Sequence, residues 1–273
     1  MEGGERMLRD ITLGQFFPGD SITHRLDARC KLILVVLYIV ALFTAKSFVS
    51  YALVIAVTVW MIAVSHIPPK ALFRGLKPVV VIIVITAILN LFFTSGTPLV
   101  KLGPLTVTQE GIVRAVLMVL RIMLLIMGTF LLTYTTSPMA LTDGMEALFN
   151  PLKKIKVPVH EMAMMMSMAL RFIPTLIAET DKIMSAQKAR GADFDTGNIF
   201  QRAKALLPLL VPLFVSAFRR ADELATAMES RCYHGGEGRT RMKQMKMHRR
   251  DAAALVLGAA FLALMIVLRR LGL

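Results

Sequence analysis

Apolar residues run along the chain in five blocks, roughly 30–46, 48–65, 78–94, 112–136 and 252–268. Each block is near twenty residues, the length at which a helix rising ~1.5 Å per residue crosses ~30 Å of hydrocarbon. The pattern predicts five transmembrane helices. Between the fourth and fifth lies 137–250, which is helical in its periodicity but too often interrupted by charge to face lipid throughout. Three helices are expected there. The first opens at Ser137-Pro138, an N-cap hydroxyl followed by proline at the first helical position, and ends near Asn150-Pro151. The second runs from about Pro158 to Arg190 with Gly191 as its stop. The third runs from about Ile199 to Arg231, ahead of Gly235-Gly236. Pro174, Pro208 and Pro212 fall inside the two long helices and are expected to kink them.

Composition agrees with this division. At 56% hydrophobic and 18% charged residues with a mean hydropathy of +0.64, an ordinary soluble domain is excluded. The net charge of +14 supplies an orientation rather than a nucleic-acid surface. Residues 1–31 carry five Lys and Arg, the 66–77 loop three and 137–250 eighteen, whereas Lys46, Lys101, Arg269 and Arg270 are the four on the other side. The positive-inside bias therefore places the N-terminus and the central region in the cytoplasm. The first 28 residues contain no apolar stretch of signal-peptide length, so the first span is expected to serve as the targeting signal. Arg114 and Arg121 sit inside the fourth span, seven residues apart on one face, where a charge is costly unless paired or hydrated. Arg114 is expected to snorkel to the outer surface and Arg121 to face the bundle interior. Cys30 and Cys232 have no metal-ligand or disulfide-framework spacing and read as packing residues.

Candidate chemistry is defined first by what the sequence lacks. It has no G-x-x-x-x-G-K-[ST] phosphate loop, no Gly-rich dinucleotide turn and no H-E-x-x-H, and its five histidines are scattered, so neither a catalytic nor a metal site is expected. What the sequence does contain is a repeat. Asp181, Ser185, Ala186, Ala189 and Arg190 match Asp222, Thr226, Ala227, Ser230 and Arg231 at identical offsets. Each long helix ends small–Arg–small, as Ala189-Arg190-Gly191 and Ser230-Arg231-Cys232. One such arginine reads as a cap on the helix carbonyls. Two in duplicate point to docking, because a guanidinium fork reaches carboxylates or carbonyls in a partner's groove. The second feature is Met162, Met164, Met165, Met166 and Met168, five methionines within seven residues. They read equally as core packing and as an adaptable protein-contact surface.

These residues resemble the transmembrane T component of energy-coupling factor transporters, and the resemblance covers nearly the whole chain. Pro18-Gly19-Asp20-Ser21 and His24-Arg25-Leu26-Asp27-Ala28-Arg29 are similar to that family's opening H-x-L-D-P-R-x-K segment, with Ala28 in place of proline and Cys30 in place of threonine. Ser137-Pro138 through Leu152, Leu170-Arg171-Phe172-Ile173-Pro174 and Ala186 through Ala192 follow the family pattern closely. At the second signature the family commonly has Ala-Arg-Gly, where this chain has Ser230-Arg231-Cys232. The resemblance implies that Arg190 and Arg231 each insert into one of two cytoplasmic ATPase subunits, which bind the ATP and Mg²⁺. It implies that the two long helices carry a substrate-binding S component, with the methionine cluster as its contact surface. The Met-rich helix and the Gln187-to-Asp193 stretch lean toward the module shared among several S components.

The sequence thus predicts an all-α polytopic membrane protein, with boundaries at 1–136, 137–250 and 251–273. Its expected function is scaffold and energy coupler in a bacterial or archaeal plasma-membrane importer of vitamins or similar micronutrients, without enzyme activity of its own. Two rivals are a secondary transporter with its own substrate site, for which Arg121 is the main support, and a membrane scaffold for a non-transport complex.

Overall fold

The computed structural model describes residues 16–102, 105–192, 194, 198–236 and 245–271. The N-terminal stretch carrying Arg6 and Arg9, Asp193, and the basic run 237–244 lie outside the described residues. The described chain is helical apart from one two-stranded antiparallel hairpin, β1 (Pro98–Leu102) with β2 (Leu105–Thr108). It divides into two compact units, one formed by residues within 16–148 and 245–271, the other by residues within 149–236.

The first unit contains α1 (Ala28–Thr44), α2 (Phe48–Ser65), the short α3 (Pro69–Leu76) running through a 3₁₀ turn into α4 (Val80–Phe93), then α5 (Gln109–Thr135), α6 (Pro138–Phe149) and α9 (Arg249–Arg270). Every apolar block of the sequence is a helix. Short polar caps set where they begin: Asp27 accepts from the Arg29 amide, Ser47 from Ser50, Thr108 from Gly111, and the Ser137 hydroxyl from Ala140. Tyr38, Leu42, Tyr51, Val54, Leu124 and Met265 form the core that joins α1, α2, α5 and α9. Large apolar side chains such as Val81, Trp60, Phe93 and Val256 point outward instead, the inverse of a soluble fold and the normal state of a lipid-facing one.

Five helical segments are long and apolar enough to cross a membrane: Phe48–Ser65, Pro69–Phe93, Gln109–Thr135, Val159–Ala189 and Arg249–Arg270. Four of them coincide with predicted spans. The fifth, Val159–Ala189, is the helix the sequence assigns to the cytoplasmic layer; its mean hydropathy of 1.3 is well under the 2.2 to 2.5 of the others. The first predicted span forms α1 at 17 residues, long enough for a thin crossing of about 26 Å.

The two ends of this unit are fastened by a buried polar cluster that explains the opening motif. Asp251, 2% exposed, accepts from its own N-cap amide at His248 (2.8 Å) and from the Asp27 amide (2.8 Å), so one carboxylate caps α9 and anchors the start of α1. Lys31, also buried, donates to the carbonyls of Thr135 (2.8 Å) and His24 (3.2 Å). Arg29 donates to the Met245 carbonyl at 2.8 Å. In the neutral His24 ring, Nε2 donates to the Phe17 carbonyl (2.9 Å), leaving Nδ1 to accept from the Ser21 hydroxyl (2.6 Å). Arg121 faces the bundle as expected. Its Nε donates to the Tyr51 hydroxyl (2.9 Å), its Nη2 to the Ala45 carbonyl (3.0 Å), and the Phe43 and Tyr51 rings flank it. Arg114 is exposed. Cys30 is buried and donates to the Asp251 carbonyl, a packing role as expected; Cys232 is exposed, so that expectation fails for it.

The second unit holds a 3₁₀ helix (Asn150–Ile155) and two helices of 31 residues each, α7 (Val159–Ala189) and α8 (Ile199–Glu229). Both continue unbroken through their internal prolines, Pro174 in α7 and Pro208 and Pro212 in α8.

Candidate functional site

The repeat seen in the sequence is also a repeat of local structure. Ser185 donates its hydroxyl to the Asp181 carbonyl at 2.8 Å, and Thr226, forty-one residues on, donates to the Asp222 carbonyl at 2.9 Å. At the end of α7 the amides of Gly191 and Ala192 return to the carbonyls of Lys188 and Gln187, both at 3.0 Å. At the end of α8 the amides of Cys232 and Tyr233 return to Glu229 and Met228, at 2.8 and 3.0 Å. These paired bonds define the same Schellman cap twice. Each needs a left-handed residue just beyond the arginine, supplied by Gly191 at φ +88° and by Cys232 at φ +54°. The cysteine therefore does a glycine's conformational work.

This geometry bears on the two readings of the arginines. The carbonyls of Gln187 and Lys188 and of Met228 and Glu229 are satisfied by backbone amides, and neither guanidinium caps them. Arg190 and Arg231 are exposed, as are the small residues Ala189, Gly191, Ser230 and Cys232 around them. Among the described residues neither arginine has a side-chain hydrogen bond or ion pair. Each is a charged fork on a rigid, sharply terminated helix.

The arginines stand at opposite ends of the helix pair. Tyr233, two residues past Arg231, donates its hydroxyl to the Met164 sulfur at 3.2 Å, which docks the end of α8 beside the beginning of α7. Gly236 lies so close to the His160 ring that a Cβ there would come within 2.3 Å of it, reinforcing that seam. Met164 precedes Arg190 by twenty-six residues of one helix, roughly 39 Å of axial rise.

The methionine cluster is divided. Met162, Met165 and Met166 are exposed, while Met164 and Met168 are half-buried, with Met164 occupied by Tyr233. Sequence reasoning missed a longer apolar surface on α8. Leu207, Val211, Phe214 and Phe218 are all exposed and follow one another at spacings of four, three and four, which lines them along one face. That 3.6-residue periodicity was legible, but the prolines between them drew attention instead.

Residues 19–243 match the family model described as cobalt transport protein, CbiQ. The chain is 55% identical over 249 residues to the energy-coupling factor transporter transmembrane protein EcfT of Thermosediminibacter oceani, covering 91% of this chain and 94% of that one. It is 53% identical to the protein of the same name from Clostridium kluyveri, over 96% of this chain and 98% of the relative. With the Bacillus subtilis protein of that name the identity is 47%, over 96% of this chain and the whole of the relative. Together with the apolar helices and the duplicated arginine termini, these matches show that the chain belongs to the CbiQ family, as an energy-coupling factor transporter transmembrane protein.

Proposed function

We propose that the chain is the coupling subunit of an ATP-driven importer of vitamins or similar micronutrients, seated in a bacterial or archaeal plasma membrane. Its N-terminus and the α7–α8 pair face the cytoplasm, where 137–250 places eighteen Lys and Arg. In this reading α1 spans the membrane and α7 does not, since α7 carries Glu161, Arg171, Glu179, Asp181, Lys182 and Lys188 along its length. Arg190 and Arg231 each enter one of two partner ATPases, which hold the ATP and Mg²⁺. The exposed stripe Leu207, Val211, Phe214 and Phe218, with Met162, Met165 and Met166, receives a substrate-binding S component, and an adaptable apolar surface of this kind suits several such partners in turn.

The observation that carries the proposal is the twin Schellman-capped arginine, exposed and without a partner among the described residues. Closure of the ATPase pair on ATP would draw the two helix ends into a new relation and bias the orientation of the S component. That transmission requires the two nucleotide states to differ in their contacts with the helices. The secondary-transporter reading loses its main support, because Arg121 spends its donors on Ala45 and Tyr51 inside the bundle.

Replacing Arg190 and Arg231 together by alanine tests the reading in the reconstituted complex. Uptake is expected to fall to background and the ATPases to co-purify poorly, while the chain still inserts. Uptake at the unaltered rate would refute it.

A further inference from the structure

Where two repeat-related helices pack against one another, equivalent positions meet at the local two-fold axis and nowhere else. Glu179 and Arg220 are such positions: they differ by the same forty-one residues that relate Asp181 to Asp222 and Arg190 to Arg231. They also meet. Arg220 Nη2 donates to Glu179 Oε2 at 3.0 Å, and the Ser216 hydroxyl donates to the other carboxylate oxygen. Identical charges on the axis would repel; here a carboxylate on one helix faces a guanidinium on the other. Beyond the crossing the likeness is partial: Asp181 and Asp222, Ser185 and Thr226, and the two arginines stay alike, while Lys182 and Lys188 correspond to Glu223 and Glu229.

The position of the pair matters more than its strength, since ion pairs of this exposure contribute little to stability. Arg190 lies eleven residues beyond Glu179, and Arg231 eleven beyond Arg220. Each arginine thus sits on an arm of three turns, about 16 Å. The contact also has room to change, because Arg220 Nε is buried without a partner and the carboxylate touches the guanidinium through Nη2 alone. A side-on grip through Nε and Nη2 is a second setting reachable by a small rotation at the crossing.

The geometry points to Glu179, Arg220 and Ser216 as the pivot of α7 and α8, a set of positioning residues that fixes two equal arms and passes a displacement of one arginine to the other. This rests on the coupling function proposed above.

The test uses the complete complex with its ATPases and S component in liposomes, read as substrate taken up per ATP hydrolysed. Glu179→Gln and Arg220→Gln are each expected to keep hydrolysis within about twofold while uptake per ATP falls about tenfold, the scale of a typical coupling factor. The exchange of Glu179→Arg with Arg220→Glu should restore the ratio to within about threefold of the unaltered complex. Thr175, the repeat equivalent of Ser216, stands ready to donate to the relocated carboxylate. A merely structural contact would lower assembly and uptake in proportion and leave the ratio unmoved, which would overturn the proposal. So would an exchange variant no better coupled than the single ones. If the Arg190 and Arg231 double variant abolishes uptake but Glu179→Gln keeps its ratio, the pivot alone fails. If that double variant still transports, the coupling function fails with it.

Discussion

Three cations of the first unit and the two helix-end arginines of the second have opposite surroundings. In the membrane unit, Lys31, Arg29 and Arg121 all donate to internal carbonyls or a tyrosine hydroxyl, and Asp251 ties the start of α1 to the cap of α9. In the α7–α8 unit, Arg190 and Arg231 are exposed at helix ends closed by backbone Schellman bonds to Gln187, Lys188, Met228 and Glu229. The residue type is the same; what differs is the supply of unsatisfied acceptors nearby. A cation among orphan carbonyls holds a fold together, whereas one at a closed cap is free for a partner.

The sharpest way to break this contrast is at Asp251. Replacing it by alanine removes the acceptor of the Asp27 and His248 amides and the charge beside Lys31, a loss of about 3–5 kcal/mol for two hydrogen bonds to a charged group. Thermal unfolding of the purified chain in detergent should show a large drop in Tm, and Asp251→Asn, which keeps one acceptor, a smaller one. An unchanged Tm would mean that the cluster does not fasten α1 to α9.

Arg121→Leu comes next. It strips the Tyr51 hydroxyl and the Ala45 carbonyl of their donor, at about 2 kcal/mol. Stability and uptake should fall together, because the side chain is structural. If uptake vanished while Tm held, Arg121 would belong to a substrate path and the comparison between the units would lose one of its terms.

Arg190→Ala and Arg231→Ala should move the Tm of the isolated chain hardly at all, within about 0.5 kcal/mol as for exposed positions generally. The proposed function expects their effect in the assembled transporter instead. A marked destabilisation of the chain alone would put these arginines in the same class as Lys31.

How far the sequence carried depends on the range of the interaction involved. The spans were readable because a run of twenty apolar residues is a local signal, and so were Ser137-Pro138 and Gly191, whose caps involve residues within one turn. The repeat was readable as likeness, which is also why Glu179 and Arg220 escaped notice: they correspond by position and differ in charge. Asp251 drew no attention as a lone acid at a helix start, since its partner Asp27 lies 224 residues away. The acceptors of Arg121, Tyr51 and Ala45, lie 70 and 76 residues back, beyond any periodicity argument. The hairpin of β1 and β2 carries little local signal because its strands are only five and four residues long, and α3, at eight residues, lies in the short basic segment between two apolar blocks.

The smallest predicted effect concerns the one chemical difference between the twin caps. Gly191 adopts its left-handed conformation without a steric penalty, whereas Cys232, at φ +54°, sets a Cβ against the following carbonyl at a cost of about 1 kcal/mol. Cys232→Gly should relieve most of that strain, offset in part by the greater freedom of glycine in the unfolded chain. The end of α8 should then resist fraying slightly better, read as slower hydrogen exchange at the Cys232 and Tyr233 amides, with uptake unchanged because Arg231 keeps its place. Gly191→Ala should have the opposite sign at α7, loosening the Gly191 and Ala192 amides by a similar amount. Equal and opposite responses would establish that both arginines rest on one mechanical design. If Cys232→Gly instead loosened its helix, the thiol would be contributing something at the second terminus that glycine cannot, and the two ends would no longer be equivalent mounts for the same fork.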